Sequence, residues 1–308
     1  MLREKLFEKS YHNYLRMKNL FLSFIFSFFL IGKGYAQNQT LFFQTDWGYN
    51  GSVEEFIEKA KNSGYDGIEI WLPADSKKQD IISMALKKFD MKVIFLCGTN
   101  NSLPFKESLQ EYKSYLQKAI DQKPLAINSH TGSDFLSFEQ NMAFISAANK
   151  LSIASNIPIY HETHRGRFSY SLPETNKYLE KNSNLKLTLD ISHWMVVHES
   201  LLKNRENLLE QVVFNSDHIH ARVGFEEGPQ VNDPSAPEWK TALNRHLDIW
   251  EAVIQKKWNE EKIVTITTEF GPPNYMPTIP FTEKPLSDQW ENNIFIMNML
   301  KERIKKMN

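Results

Sequence analysis

"LFFQTDWGYNGSVEEFIEKAKNSGYDGIEIWLP", residues 41–73, decides the fold. Its first part, 41–48, is an aromatic, strand-like run. Its middle, "SVEEFIEKAKNSG", is amphipathic; it opens with a capping-box pattern from Ser52 to Glu55 and closes on Gly64. Its last part, "GIEIWLP" (67–73), returns to strand texture. The stretch predicts strand, helix, strand.

The same alternation runs to the end of the chain. Further strands are expected at 92–98, 125–132, 157–164, 185–192, 218–224 and 263–271, which makes eight with 41–48 and 67–73. A helical run follows each, from "QDIISMALKKFD" and "SLQEYKSYLQKAID" through "ESLLKNRENLLEQVVFN" to "SDQWENNIFIMNMLKERIKKM". Eight β-then-α units predict an α/β protein folded as a single (β/α)8 TIM barrel over residues 37–308. A doubly wound open sheet usually has fewer strands, and neither Gly-x-Gly-x-x-Gly nor a P-loop occurs here.

Residues 1–36 read as a signal peptide. Arg16 and Lys18 precede the apolar run Leu20–Ile31, and Gly34 and Ala36 stand at −3 and −1 of a cleavage after Ala36. Met17 is an alternative start. An apolar run of that length is short for a membrane span, so no stable membrane association is expected after cleavage, and the location is periplasmic or secreted. The single cysteine, Cys97, permits no intramolecular disulfide. With 308 residues, 41% of them hydrophobic, a sizeable core is available; a net charge of −1 argues against a nucleic-acid partner. Exposed barrel helices leave a homo-oligomer open, with no face specified.

Barrel active sites lie at the C-terminal strand ends. Those ends carry Trp47, Trp71, Asn128, His130, Glu162, His164, Asp190 (with His193 beyond), His218, His220, Arg222 and Glu269. Parity groups them, since residues two apart share a face. Tyr160, Glu162 and His164 oppose Ile159, and Thr265, Thr267 and Glu269 oppose Val264 and Ile266. Two glutamates, an aspartate and a histidine meeting at one point suit a divalent cation, Mn2+, Co2+, Mg2+ or Zn2+. Three converging carboxylates are costly without one. Asp190 is equally open to capping the next segment, and His218 reads better as a core histidine.

At Glu162, "DISH" (190–193), "HIHAR" (218–222) and "TTEFG" (267–271) the chain resembles the xylose isomerase-like TIM-barrel superfamily, which includes sugar phosphate isomerase/epimerase proteins, ketose 3-epimerases, inosose dehydratases and endonuclease IV. The resemblance covers roughly residues 40–305. It implies Glu162, Asp190, His220 and Glu269 as metal ligands, Glu162 and Glu269 as the proton-moving carboxylates, His193 as a substrate contact near the metal, and Arg222 as substrate-binding. The chain departs from that group in "HETHRGR" (161–167), whose His164, Arg165 and Arg167 suit an acidic or highly hydroxylated substrate. His130 is a further polar group at the mouth, and Trp47, Trp71 and Trp194 are candidates for stacking on a sugar ring. The Pro- and Gly-rich segment 225–239 is either a lid or specificity loop or a structured connector.

The function expected is an exported, metal-dependent sugar isomerase or epimerase that transfers a proton next to a carbonyl of a small carbohydrate. The alternatives are a lyase, dehydratase or hydrolase of keto-sugars or keto-glycosides at the same site, and a non-catalytic carbohydrate-binding barrel.

Overall fold

A computed structural model describes residues 39–307. From Thr40 onward the chain closes a parallel barrel of β1 (Thr40–Thr45), β2 (Gly67–Trp71), β3 (Lys92–Gly98), β4 (Ala126–His130), β5 (Ile159–Glu162), β6 (Leu187–Leu189), β7 (Ser216–Ala221) and β8 (Val264–Thr268). Each strand pairs with the next, and β8 pairs back onto β1 with Thr40 opposite Val264. The connecting helices are α1 (Val53–Asn62), α2 (Ser76–Phe89), α3 (Phe105–Asp121), α4 (Phe138–Ser155), α5 (Leu172–Lys181), α6 (Ser192–Val197), α7 (Glu206–Asn215), α8 (Lys240–Asn259) and α9 (Gln289–Met307). The expected single (β/α)8 barrel is the observed fold. The signal segment 1–36, its cleavage after Ala36 and Met17 lie outside the described residues. Among the described residues no helix is long and apolar enough to cross a membrane.

Local chemistry accounts for the boundaries. The Ser52 hydroxyl accepts from Glu55 N–H at 3.2 Å and the Glu55 carboxylate accepts from Ser52 N–H at 2.9 Å, the reciprocal cap expected at the start of α1. Strand β6 stops at Leu189, short of the expected Ser192, because Asp190 Oδ1 accepts from Ser192 N–H at 3.0 Å and turns the chain into α6. The helix expected from Glu199 starts only at Glu206. Glu199, Leu202 and Asn204 have φ of 45°, 56° and 62°, left-handed values that an α-helix cannot contain.

Strand parity divides the residues as the alternation predicts. Ile68, Ile70, Ile127, Ile159, Leu187, Leu189, Ile219, Val264 and Ile266 pack outward against the helices in one core. Leu41, Phe43, Ile94 and Ala126, with Tyr160, form a separate apolar cluster inside the barrel. A Cβ on Gly67 would lie 2.3 Å from the Phe43 ring, so glycine there gives that ring its space. Above this cluster the interior is polar.

Buried His246 pins the segment after β7: Nδ1–H donates to Ala242 O at 2.8 Å and Nε2 accepts from Gly224 N–H at 3.1 Å. Burial pushes its pKa down to about 4. The unfolded chain, with histidine near 6.5, then binds more protons than the fold between these values, so stability is complete above pH 6.5 and falls as pH drops to 4. The loss expected from this residue is about 3 kcal/mol. Urea unfolding at pH 7 and pH 4.5 checks it: His246→Gln should show a shallower acid dependence than wild type, and equal slopes would refute the assignment.

Candidate active site

The C-terminal ends of β5, β6, β7 and β8 bring Glu162, Asp190, His220 and Glu269 together. One ligand atom from each lies within 4.8 Å of those of the other three, and three of the four side chains are buried. His220 Nδ1 faces Glu269 Oε2 at 3.0 Å and Glu162 Oε2 at 3.5 Å. Asp190 Oδ1 accepts from Ser192 N–H where the chain enters α6, and Oδ2 accepts from Arg222 Nη2. Arg222 Nη2 also lies 3.6 Å from Glu269 Oε2.

Beneath them sits Glu69 of β2, fully buried, which the sequence reading passed over. Glu69 Oε2 accepts from His218 Nε2–H at 3.0 Å and from the Thr267 hydroxyl, and Oε1 accepts from His220 Nε2–H at 2.9 Å. Asn128 Nδ2 donates to Glu69 Oε1 at 2.9 Å and to Glu162 Oε2 at 2.8 Å, joining the two layers. His218 Nδ1 meets the Thr265 hydroxyl at 2.7 Å, so His218 belongs to this network below the ligand quartet, in line with its reading as a core residue.

The charges shift one another. For Glu162, burial pushes the carboxyl up, but His130 and His220 outweigh it and hold it well below its ordinary value. Burial likewise raises Glu269 and Glu69; the neighbouring histidines, and Arg222 for Glu269, bring both below normal. Burial lifts Asp190 to about 6, opposed by Arg222 and reinforced by Glu269 and Glu162. His220 is disfavoured as a cation by burial, yet Glu269, Glu69 and Glu162 raise it well above normal. Four acidic side chains thus face Arg222 and His220, with His130 against Glu162 and His218 against Glu69.

The donor set fits a divalent cation. Oxygen and imidazole ligands suit Mn2+, Co2+, Mg2+ and Zn2+ alike. Glu162 Oε1 is buried with no hydrogen-bond partner, a vacant acceptor within the quartet. Glu162 also forms a group with His164 and His193, whose rings lie 3.9 Å apart.

The remaining expected residues surround this centre. His130 Nε2 donates to Glu162 Oε2 at 2.8 Å, and the exposed Trp71 ring meets His130 edge-on at 5.2 Å. His193 Nε2 lies 2.9 Å from Arg222 Nη2 and accepts its N–H, which puts the imidazole proton on Nδ1, where it is buried without a partner. Burial, His164 and Arg222 hold His193 well below its normal pKa, so it is neutral. Burial takes His164 down to about 3, against the pull of Glu162. Arg167 is half-buried, with no hydrogen-bond acceptor for its guanidinium among the described residues; burial lowers its pKa while Glu162 and Asp134 oppose this.

Trp47 and Trp71 serve different sectors of the mouth. Trp47 packs against Gly271 and meets Tyr275 edge-on at 4.9 Å. Tyr275, in the segment after β8, lies 4.7 Å from the Arg222 guanidinium and 5.3 Å from that of Arg165. No local motif marked it. Trp194 is not at the mouth: α6 turns it into the core, where Nε1–H donates to Ser169 O at 2.8 Å. Segment 225–239 is a packed connector. Val231 is buried, and the Gln230 amide brackets Gly271 at 2.7 and 3.1 Å.

Neither a family model nor a curated protein sequence matches the chain. Solved structures do. A 3-keto-D-glucoside 4-epimerase from E. coli is 12% identical, covers 86% of this chain and 100% of its own, and superposes with a TM-score of 0.58. A probable 3-DHS dehydratase from Bacillus anthracis is 14% identical over 85% and 98%, TM-score 0.55. A xylose isomerase-like TIM barrel protein from Mycobacterium smegmatis, in complex with magnesium, is 10% identical over 85% and 97%, TM-score 0.55. At such identities the likeness establishes the fold, which this chain shares with xylose isomerase-like barrels, and leaves the reaction to the site.

Proposed function

We propose that the protein is an exported, metal-dependent carbohydrate isomerase or epimerase that moves a proton next to a carbonyl. The observation that carries this reading is the meeting of Glu162, Asp190, His220 and Glu269 at the barrel mouth, with two of the carboxylates on strands three apart in the order of the barrel. The same four residues would hold the cation, whose chemistry when bound is Lewis-acid polarisation of a carbonyl oxygen.

The chain's own groups supply the rest. Glu162 and Glu269 are both held below the normal carboxyl pKa, so each is ready to accept a proton at neutral pH. In an epimerisation one acts as carboxylate and takes the proton from the carbon beside the carbonyl, while the other, which must enter the turnover protonated, gives its proton to the same carbon from the opposite side, so the two exchange protonation states; in an isomerisation the carboxyl that took the proton returns it to the neighbouring carbon. His193 offers its unpartnered Nδ1–H to a substrate oxygen. Arg165 and Arg167 have no acceptor for their guanidinium groups among the described residues, which suits an acidic or polyhydroxylated substrate. Trp47, Tyr275 and Trp71 offer apolar ring faces to the carbon skeleton. Residues 16–36 support export.

Proton NMR in D2O on the mature protein tests this, with keto-sugars and 3-keto-glycosides, added Mn2+ or Co2+ removed before acquisition, and EDTA as control. The expected result is metal-dependent loss of a C–H signal with appearance of a new epimer or isomer. Loss of the same signal with release of an aglycone or an unsaturated sugar would move the reaction to the lyase class. No exchange with any substrate, despite bound metal, would refute the enzymatic reading.

A further inference from the structure

We infer that Glu69 is a positioning residue for the cation site: it fixes the proton of His220 on Nε2 and so directs the Nδ1 lone pair to the metal. The inference rests on the metal-dependent reading above and names a residue that no motif marks.

Each ring nitrogen of His220 faces a carboxylate, and Nε2 also lies 3.0 Å from Asn128 Nδ2, whose N–H groups go to Glu69 and Glu162. Nε2 points down, 2.9 Å from Glu69 Oε1; a carboxylate only accepts, so that nitrogen must carry the proton. Nδ1 points up, toward Glu269 Oε2 at 3.0 Å and Glu162 Oε2 at 3.5 Å. Without an ion Nδ1 carries a proton for Glu269 as well and His220 is an imidazolium; an ion in the quartet would replace that proton, and the Nε2–H held by Glu69 would leave the Nδ1 lone pair facing it. Ligating histidines commonly donate their second ring N–H to a carboxylate, which sets the tautomer and the ring plane.

Glu69 is itself held tightly. It accepts from His218 Nε2–H at 3.0 Å, from the Thr267 hydroxyl and from Asn128 Nδ2 at 2.9 Å, besides His220. All four donors point at the carboxylate, and Glu69 is completely buried. Glu69, His218 and His220 also lie close enough together to hold an ion of their own. Every ligand-type atom of Glu69 and His218, however, is already used in a hydrogen bond, so this lower cluster reads as the support of the upper one. Asn128 extends the support, since its amide nitrogen reaches Glu162 Oε2 at 2.8 Å as well.

Glu69→Gln is the test, because at nearly constant shape it removes the charge and leaves one oxygen, with an N–H in place of the other, for the four donors that converge on Glu69. Zn2+ affinity is measured by competition with a chelator, and the zinc-loaded protein, labelled with 15N-histidine, is examined by NMR, with His220→Asn used to assign the His220 signals. Wild type should show His220 ligating through Nδ1, with an Nε2–H protected from solvent exchange. Glu69→Gln should exchange that proton faster, because a neutral amide oxygen holds it less tightly than a carboxylate, and should bind Zn2+ about 10- to 100-fold more weakly. Thr267→Val, which disturbs the same network without removing the carboxylate, should keep the protected proton and nearly all the affinity. Should Glu69→Gln not fold, Glu69→Asp retains the charge but shortens its reach, and should weaken binding by an intermediate factor. Unchanged affinity in Glu69→Gln, ligation through Nε2 in wild type, or equal losses in Thr267→Val and Glu69→Gln would each overturn the inference while leaving the metal-dependent reading in place. Wild type that binds no Zn2+ would overturn both.

Discussion

Glu162→Gln is expected to lower the rate of substrate C–H exchange by about two to four orders of magnitude, the range typical of a lost general base, with the barrel still folded. The substitution preserves volume and hydrogen-bonding length but removes the charge that takes the proton. Glu162 Oε2 accepts from both Asn128 Nδ2 and His130 Nε2, and a glutamine oxygen can still accept from them. Its amide nitrogen would then occupy the place of Oε1, which has no protein partner. The variant therefore loses a basic oxygen and gains a donor where the cation is expected. Metal affinity should fall together with the rate. Two measurements separate the roles: exchange at saturating metal reads proton transfer alone, and bound metal after dialysis reads ligation. A variant that exchanges at the wild-type rate when saturated would remove Glu162 from the proton-transfer step and leave it as a ligand only.

Much of this site was legible because strand alternation has a period of two. Once Ile159, Leu187, Ile219 and Val264 are assigned outward, Glu162, Asp190, His220 and Glu269 must face inward at the top of consecutive strands. Their strand ends need no knowledge of loops. Glu69 obeys the same parity between Ile68 and Ile70, yet it was not read as a site residue. Its histidine partners lie 149 and 151 positions away, and nothing beside it in "GIEIWLP" is polar. Tyr275 was illegible for a related reason: its place over Arg222 depends on how an irregular segment closes onto the mouth, which no periodicity encodes. Trp194 failed in the other direction. It stands next to His193 in sequence, but adjacent residues on a helix face different ways, so α6 presents His193 to the site and buries Trp194 against Ser169. Sequence placed Arg222 as a substrate contact; the structure shows its charge already engaged by Asp190 and Glu269.

That engagement leads to the second large effect. Arg222→Met should destabilise the metal-free protein by about 3–5 kcal/mol, the usual consequence of removing one partner of a buried ion pair. Arg222 is 2% exposed, donates to Asp190 through Nη2 and to Ser192 Oγ through Nε at 3.3 Å, and lies against Tyr275. Methionine keeps the packing on Tyr275 but leaves Asp190, Glu162 and Glu269 with His220 as their nearest cation. A divalent ion restores what is lost, so added Mg2+ or Zn2+ should raise the melting temperature of Arg222→Met more than that of wild type. The reason is competition: in wild type the guanidinium already occupies Asp190 Oδ2, and an ion must share that oxygen with it. Binding stabilises by RT ln(1 + [L]/Kd), about 2.7 kcal/mol at a hundredfold excess over Kd, which is enough to recover much of the deficit. Thermal melts of both proteins across a metal titration decide the matter. If Arg222→Met were as stable as wild type without metal, the Asp190 carboxyl would have to be largely neutral in the metal-free fold. If it were unstable but indifferent to metal, the quartet would not be a cation site.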